Sequence, residues 1–208
     1  MRNNASLTRV TCSGIVDGDD YAQADKDNLA GLGIQVLSVS EVENLLLLPS
    51  VTASIAENEG HVGEAITTKQ AAIAAAVFPT LSEPRKIEKV VVKYCKRRID
   101  RALKKVDLSA GTTIADLQGS YASATADIDI AAIASQRTQE IEAAIAANDL
   151  TKLLEYYDNK SLVAIAASHL KNQKRDAFEA WIIRSLRNDT CPPLKVSLSA
   201  VLPTITAS

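Results

Sequence analysis

The chain has 208 residues, of which 47% are hydrophobic and 23% are charged, and its formal net charge is −2. This composition is typical of a soluble globular protein with an apolar core. The small net charge excludes a general attraction to nucleic acid or to an acidic membrane, so any such binding has to be local. No apolar run is long enough to span a membrane, and the opening residues do not have the form of a signal peptide.

Three cysteines are spread along the chain, at Cys12, Cys95 and Cys191. Their odd number and wide spacing argue against a disulfide framework and against a zinc site. A reduced, cytoplasmic setting is therefore expected.

The predicted elements begin with a strand, a helix and a second strand. Residues 8–16 are rich in β-branched side chains and end at an Asp-Gly turn, which predicts a strand. Residues 20–31 are predicted to form a short polar helix, because glycines at its end favour a helix terminus. Residues 34–39 predict a second strand. This order indicates a right-handed βαβ unit with parallel strands.

Most of the remaining chain is predicted to be helical. The apolar spacing and the abundance of alanine predict helices over 41–58 (with a break near Pro49), 63–78, 83–106, 127–148, 150–157, 161–171 and 174–187. Residues 107–126 are rich in Ser, Thr, Gly and Ala, and are predicted to form a loop or lid. We expect a partial α/β core over 1–60, a helical region over 61–190 that packs on it or is inserted into it, and a tail without periodicity over 191–208.

Acidic side chains follow both predicted strands at the point where each strand ends. Asp17 and Asp19 come directly after the first strand, and Glu41 and Glu43 follow the second. Because ligands bind beyond the carboxyl ends of parallel strands, these carboxylates are expected to converge on one rim. A divalent cation such as Mg²⁺ or Mn²⁺ would relieve their mutual repulsion. The alternative is an ordinary turn in which Asp19 or Asp20 caps the next helix.

Four segments carry a resemblance to a known family. They are GIVDGDDY at 14–21, GIQVL at 33–37, EVENLLL at 41–47 and YYDNKSLV at 156–163. The first three resemble the Asp-x-Asp strand region of TOPRIM domains, most closely the family called domain of unknown function 4435, which is related to the overcoming-lysogenization-defect nucleases. The fourth resembles that family's Gly-Lys-x-Leu segment. Asn159 stands in the place of the glycine, and Asn tolerates left-handed backbone nearly as well.

The resemblance implies a fold, a reaction and partners. The fold would be α/β with a small, truncated, TOPRIM-like (Rossmannoid) parallel sheet and a mostly helical carboxyl-terminal region. The reaction would be Mg²⁺- or Mn²⁺-dependent hydrolysis of phosphodiester bonds in DNA or RNA. An ATPase of the AAA or ABC type is an implied partner, and defence against phage is an implied role. The sequence is compatible with an oligomer and implies no membrane partner.

The resemblance also implies roles for individual residues. Asp17 and Asp19 would be metal ligands, and Glu43 would be a further ligand, a catalytic group or a structural anchor of the site. Lys160 would contact a phosphate or stabilise the transition state. TOPRIM domains begin with an additional strand that ends in a glutamate, and too few residues precede the apolar run here to include it. We therefore expect a fragment, or a domain completed by another chain, that does not cleave DNA alone.

Other families fit the acidic turn less well. Receiver domains need an acceptor aspartate after a later strand, where Ser40 and Glu41 stand. Phosphatases of the haloacid-dehalogenase type have Thr or Val after Asp-x-Asp, where Asp20 and Tyr21 stand. The remaining alternative is a non-catalytic module that binds a protein or senses a nucleic acid.

A second candidate surface is the basic helix predicted from residue 85 to residue 105. It contains ten Lys or Arg side chains but only Glu88 and Asp100 as acids. Lys89, Lys93 and Lys96 are expected to contact nucleic acid, because they lie on one helical face where they can follow a phosphate backbone. The alternative is a solvated helix face, which charge runs usually are.

Overall fold

Two short parallel strands joined through one helix begin the described part of the chain. The structure is a computed structural model that describes residues 13–18, 21–109 and 111–205. Strand β1 is Gly14–Val16, helix α1 is Gln23–Gly31 and strand β2 is Ile34–Val36. The two strands pair in parallel, with Gly14 opposite Ile34 and Val16 opposite Val36. The predicted parallel pair is confirmed, although both described strands are short and residues 8–12 lie outside the described ranges.

The turns around α1 explain how the two strands come side by side. The N-cap position of α1 is Ala22, which makes no side-chain cap hydrogen bond, and Asp19 and Asp20 lie outside the described residues. After the helix, Gly33 has a φ of 76° and its N–H donates to the carbonyl of Ala30 at 2.9 Å. Glycine adopts this left-handed backbone without steric cost, which allows the chain to turn directly into β2.

Helices account for most of the remaining described chain. They are α2 (Pro49–Asn58), α3 (Glu64–Val77), α4 (Pro84–Lys104), α5 (Ile114–Thr125), α6 (Ile130–Ala146), α7 (Leu150–Leu154), α8 (Val163–Lys171), α9 (Arg175–Asn188) and α10 (Pro192–Val201). Three short 3-10 segments join them, at Val42–Leu47, Phe78–Leu81 and Lys160–Leu162. Within the described ranges, no helix combines the length and the apolar character that a membrane span requires. The protein is therefore mostly helical with one small parallel sheet.

The prediction of a loop over residues 107–126 was wrong, because α5 occupies most of that segment. A capping box starts the helix: the Asp116 N–H donates to the Thr113 hydroxyl at 3.2 Å, and the Thr113 N–H donates to the Asp116 carboxylate at 2.9 Å. Two otherwise unsatisfied backbone donors are thereby paired at the helix start. The Ser- and Thr-rich composition concealed this local pattern.

The prediction of an irregular tail after residue 190 was also wrong. Helix α10 starts at Pro192, and proline fits the first turn of a helix because the N–H that it lacks has no partner there. Cys191 and Leu194 are buried in the core. The segment is helical because its apolar side chains find a surface to pack on, which its own periodicity did not reveal.

One hydrophobic core joins the amino-terminal region to the helices. Its fully buried side chains come from residues between 39 and 194 and include Val39, Leu47, Ile55, Ile141, Leu154, Phe178 and Leu194, whereas β1, α1 and α5 contribute no buried residue. Val39 is important for the site, because it carries the chain from β2 into the core immediately before Ser40 and Glu41. The acidic segment after β2 is therefore anchored on a rigid apolar base.

Candidate functional site

The residues at the end of β1 form backbone hydrogen bonds with the residues that follow β2. The Leu37 N–H donates to Val16 at 3.0 Å, and the Gly18 N–H donates to Val39 at 2.9 Å. A Cβ atom at Gly18 would lie only 2.2 Å from the carbonyl oxygen of Val39, so only glycine fits here without a backbone shift. This close approach places Asp17 beside the acidic segment that follows β2.

Asp17 is held directly by that acidic segment. Its Oδ1 accepts a hydrogen bond from the Val42 N–H at 2.9 Å, between the two glutamates at 41 and 43. The structure thus brings Asp17, Glu41 and Glu43 to the same edge of the parallel strand pair. Asp19, the other predicted ligand from the first acidic turn, lies outside the described residues.

Lys160 lies between the two glutamates although it is far away in sequence. Its Nζ is 3.2 Å from Glu41 Oε2 and 3.8 Å from Glu43 Oε1. The Lys160 side chain is 57% exposed, whereas that of Glu41 is only 9% exposed. The lysine therefore covers a buried carboxylate and still presents its ammonium group to solvent.

Burial and neighbouring charges act in opposite directions on Glu41. Desolvation raises the pKa of Glu41, the ammonium of Lys160 opposes that rise, and the negative charges of Asp17 and Asp158 add to it. In return, the hydrogen bond and charge of Glu41 raise the pKa of Lys160. Lys160 consequently remains protonated at neutral pH and is a permanent positive charge in the site.

The segment that presents Lys160 is fixed by Asn159. Its Oδ1 accepts hydrogen bonds from the N–H and the hydroxyl of Ser161, at 3.0 and 2.6 Å, and its Nδ2 donates to the Tyr157 hydroxyl at 2.7 Å. The φ of Asn159 is −130°, so the residue is extended and does not adopt the left-handed backbone that we considered. Asn159 instead caps the 3-10 turn that begins at Lys160.

Two fully buried polar residues join this segment to the glutamates. Asn44 Nδ2 donates to the carbonyls of Leu154 and Tyr157, at 3.3 and 2.9 Å. The Ser40 N–H donates to the same Leu154 carbonyl at 3.0 Å, and the Ser40 hydroxyl accepts from Asn44. Buried hydrogen bonds of this kind specify one arrangement, so the distance between the glutamates and Lys160 is set by the core. No pattern in the sequence indicates this role for Ser40 and Asn44.

Arg175 is a second cation at the site that the sequence did not indicate. Its Nη2 is 3.7 Å from Glu43 Oε1, and its Nε donates to Glu179 at 2.7 Å. The other oxygen of Glu43, Oε2, is buried and has no hydrogen-bond partner among the described residues. We call the group formed by Asp17, Glu41, Glu43, Lys160 and Arg175 the charged cluster.

The charged cluster has the right kind of atoms for a hard divalent cation but too few in position. Carboxylate oxygens are the ligands that Mg²⁺ and Mn²⁺ prefer. In the described ranges, however, no group of three or more His, Cys, Asp or Glu side chains is placed to hold a metal ion. Asp17 and Glu43 carry oxygen atoms of this kind, and Asp19, the other predicted ligand, lies outside the described residues.

The basic helix α4 reaches the charged cluster through Asp158. Lys93 Nζ and Arg97 Nη1 each lie 2.5 Å from Asp158 Oδ2, and the Asp158 side chain is only 3% exposed. Lys89 and Lys96 are exposed on the same helix. The structure thus connects Lys93 with the segment that presents Lys160, a link that the sequence did not indicate.

Comparisons with protein-family models, with curated proteins and with solved structures found no match to this chain. The resemblance to TOPRIM domains therefore depends on the four quoted segments.

Proposed function

We propose that the charged cluster belongs to a TOPRIM-like site for divalent-metal-dependent hydrolysis of phosphodiester bonds. The observation that carries this proposal is the position of Lys160, whose Nζ lies 3.2 and 3.8 Å from the two glutamates that follow β2. The resemblance predicts a lysine from this distant segment beside those acids.

Four residues of the cluster have a role in this proposal. Asp17 and Glu43, together with Asp19, would hold Mg²⁺ or Mn²⁺, which supplies a water nucleophile and offsets negative charge. Lys160 binds an oxygen of the scissile phosphate, and its protonated state at neutral pH suits that task. Glu41 is buried beside Lys160 and orients the ammonium, so we assign it a positioning role.

The test is a calorimetric titration of the purified protein with Mg²⁺ and Mn²⁺. We expect the wild-type protein to bind the cation and Asp17→Asn to bind it at least about tenfold more weakly. The matched control is Asp127→Asn, the same chemical change at an exposed residue in the turn between α5 and α6, which should leave the affinity unchanged. Equal binding by wild type and Asp17→Asn, or no binding by either, would contradict the proposal.

A non-catalytic module that senses nucleic acid is the second candidate function. It is favoured by the ion pairs of Lys160 and Arg175, which already neutralise much of the charge on Glu41 and Glu43. The same titration separates the two candidates. Nucleic-acid binding without any Mg²⁺ or Mn²⁺ binding would support the module and exclude metal-dependent hydrolysis.

A further inference from the structure

One face of α4 carries a continuous row of lysines. Lys86, Lys89, Lys93 and Lys96 follow one another at intervals of three or four residues and are all exposed. The opposite face, with Val90, Val91, Tyr94 and Cys95, is buried in the core. Residues three or four apart are neighbours on a helix, so the row extends over about 15 Å at 1.5 Å per residue. We call these four lysines the α4 lysine face.

Most of the positive charge on this face is not balanced by the protein. Among the described residues, no ion pair forms with Lys86, Lys89 or Lys96, whereas Lys104 pairs with Asp100 and Lys105 pairs with Asp25. A hollow of about 400 Å³ opens on the surface beside the row. It is lined by Arg85, Glu88, Lys89, Val92, Lys93 and Lys96. Glu88 is the one acid in this lining, against four cations.

The α4 lysine face leads directly to the charged cluster. Lys93 and Arg97 both contact Asp158, and Lys160 follows two residues later in the same fixed segment. Asp158 is almost fully buried, so its charge is neutralised inside the protein and does not interrupt the row at the surface. The α4 lysine face and Lys160 at the cluster are thus connected through Asp158.

We propose that the α4 lysine face binds the phosphate backbone of a nucleic-acid strand and guides that strand to Lys160. The occupant is a polyanion with regularly spaced charges, because the lysines repeat along the helix and one small anion would engage only one or two of them. Backbone contacts position a strand without reading its sequence. The destination of the strand depends on the function proposed above, whereas binding to the helix does not.

The first experiment measures binding without any metal. A fluorescein-labelled oligonucleotide of about 20 nucleotides, single-stranded or duplex, is titrated in EDTA at several salt concentrations. We expect the Lys86→Gln, Lys89→Gln, Lys96→Gln triple variant to bind at least about tenfold more weakly than wild type. Its log–log salt dependence should also be shallower by about 2 on the single strand and by about 3 on the duplex, as expected for the loss of three phosphate contacts.

The matched control removes three lysines elsewhere. Lys26→Gln, Lys174→Gln, Lys195→Gln changes the net charge equally at exposed positions outside α4. We expect it to bind within about twofold of wild type, because backbone contacts are local. Circular dichroism and thermal unfolding verify that both variants fold. Equal losses in the two variants, or no binding by wild type, would overturn the proposal, as would binding to phosphatidylserine vesicles but not to the oligonucleotide.

The second experiment tests the path to the charged cluster. Lys160→Gln is compared with wild type, again in EDTA, on oligonucleotides of increasing length. Short oligonucleotides should bind both proteins equally, and longer ones should bind the variant about threefold more weakly, because only they reach from α4 to Lys160. No difference at any length would refute the guiding role. Since no metal is present, these results are independent of the metal titration, and either proposal can fail without the other.

Discussion

Arg137 and Glu41 are two buried charged residues with different surroundings. Arg137 of α6 is 8% exposed and Glu41 is 7% exposed, so the two residues are equally removed from water. The guanidinium of Arg137 lies between two rings, 4.0 Å from the centre of Tyr94 and 4.4 Å from that of Tyr156, and it also pairs with Glu140. Glu41, in contrast, has Lys160 on one side and the negative charges of Asp17 and Asp158 nearby.

The difference indicates which of the two charges stabilises the fold and which suits a functional site. The charge of Arg137 is well compensated, because aromatic rings and a carboxylate stabilise a desolvated cation. Burial raises the pKa of Glu41 and one exposed lysine only partly offsets that effect, so its charge is incompletely compensated. Perturbed carboxyl groups of this kind cluster at functional sites. The following predictions test that contrast, beginning with the largest effect.

The largest effect is expected at the backbone contact beneath the charged cluster. Gly18→Ala places a Cβ 2.2 Å from the Val39 carbonyl oxygen, which forces the strand end away from β2. We expect a loss of about 3 kcal/mol in the free energy of unfolding, measured by urea denaturation. Gly119→Ala, in the exposed middle of α5, is the control and should instead stabilise the protein by about 0.5–1 kcal/mol. Equal stability of Gly18→Ala and wild type would show that the strand end is not held here.

Arg137→Ala tests how much the compensated charge of Arg137 contributes to stability. The substitution removes a cation from between Tyr94 and Tyr156 together with the packing of its long side chain. We expect a loss of about 2–3 kcal/mol in thermal or chemical unfolding. Arg187→Ala, at an exposed position of α9, should change stability by less than about 0.5 kcal/mol. If Arg137→Ala loses no more stability than Arg187→Ala, the buried charge of Arg137 does not stabilise the fold.

Asp158→Asn tests the connection between α4 and the segment that presents Lys160. The variant keeps the shape of the side chain but leaves Arg97 and Lys93 without their buried carboxylate. We expect a loss of about 2 kcal/mol in the free energy of unfolding. Lys93→Gln should lose less than about 1 kcal/mol, because Lys93 is half exposed and Arg97 still contacts Asp158. If the free energy of unfolding falls equally in both variants, the ion pair with Lys93 is the dominant contact of Asp158.

The smallest effect is a pH dependence at Glu41. Its folded-state pKa is raised above the ordinary 4.5, so this group favours the folded state at low pH and loses that contribution as the pH rises above 4.5. Glu41→Gln cannot ionise and should gain stability relative to wild type from about pH 4 to pH 7, by no more than about 1 kcal/mol. Urea unfolding across that range measures it. A constant difference at every pH would show that Glu41 ionises normally.

The sequence pattern predicted those elements whose signals lie in residues close together in the chain. The break at Pro49, the long helix α4 and the parallel strand pair all follow from residues close together in sequence. Helix α10 was missed because its stability comes from the surface under Leu194. The charged cluster divides in the same way. Asp17, Glu41 and Glu43 were predicted from their position after strands, whereas Asp158 and Arg175 were not.

The sequence by itself determined which residues carry charge at the ends of the two strands and along one face of α4. It did so because the ends of parallel strands and the repeat of a helix fix side-chain positions over a few residues. Only the tertiary structure decided that Lys160 covers Glu41, that Asp158 connects Lys93 and Arg97 to that segment, and that Asn44 and Ser40 hold the parts together. These contacts join residues far apart in the chain, and burial of the shared core places them side by side.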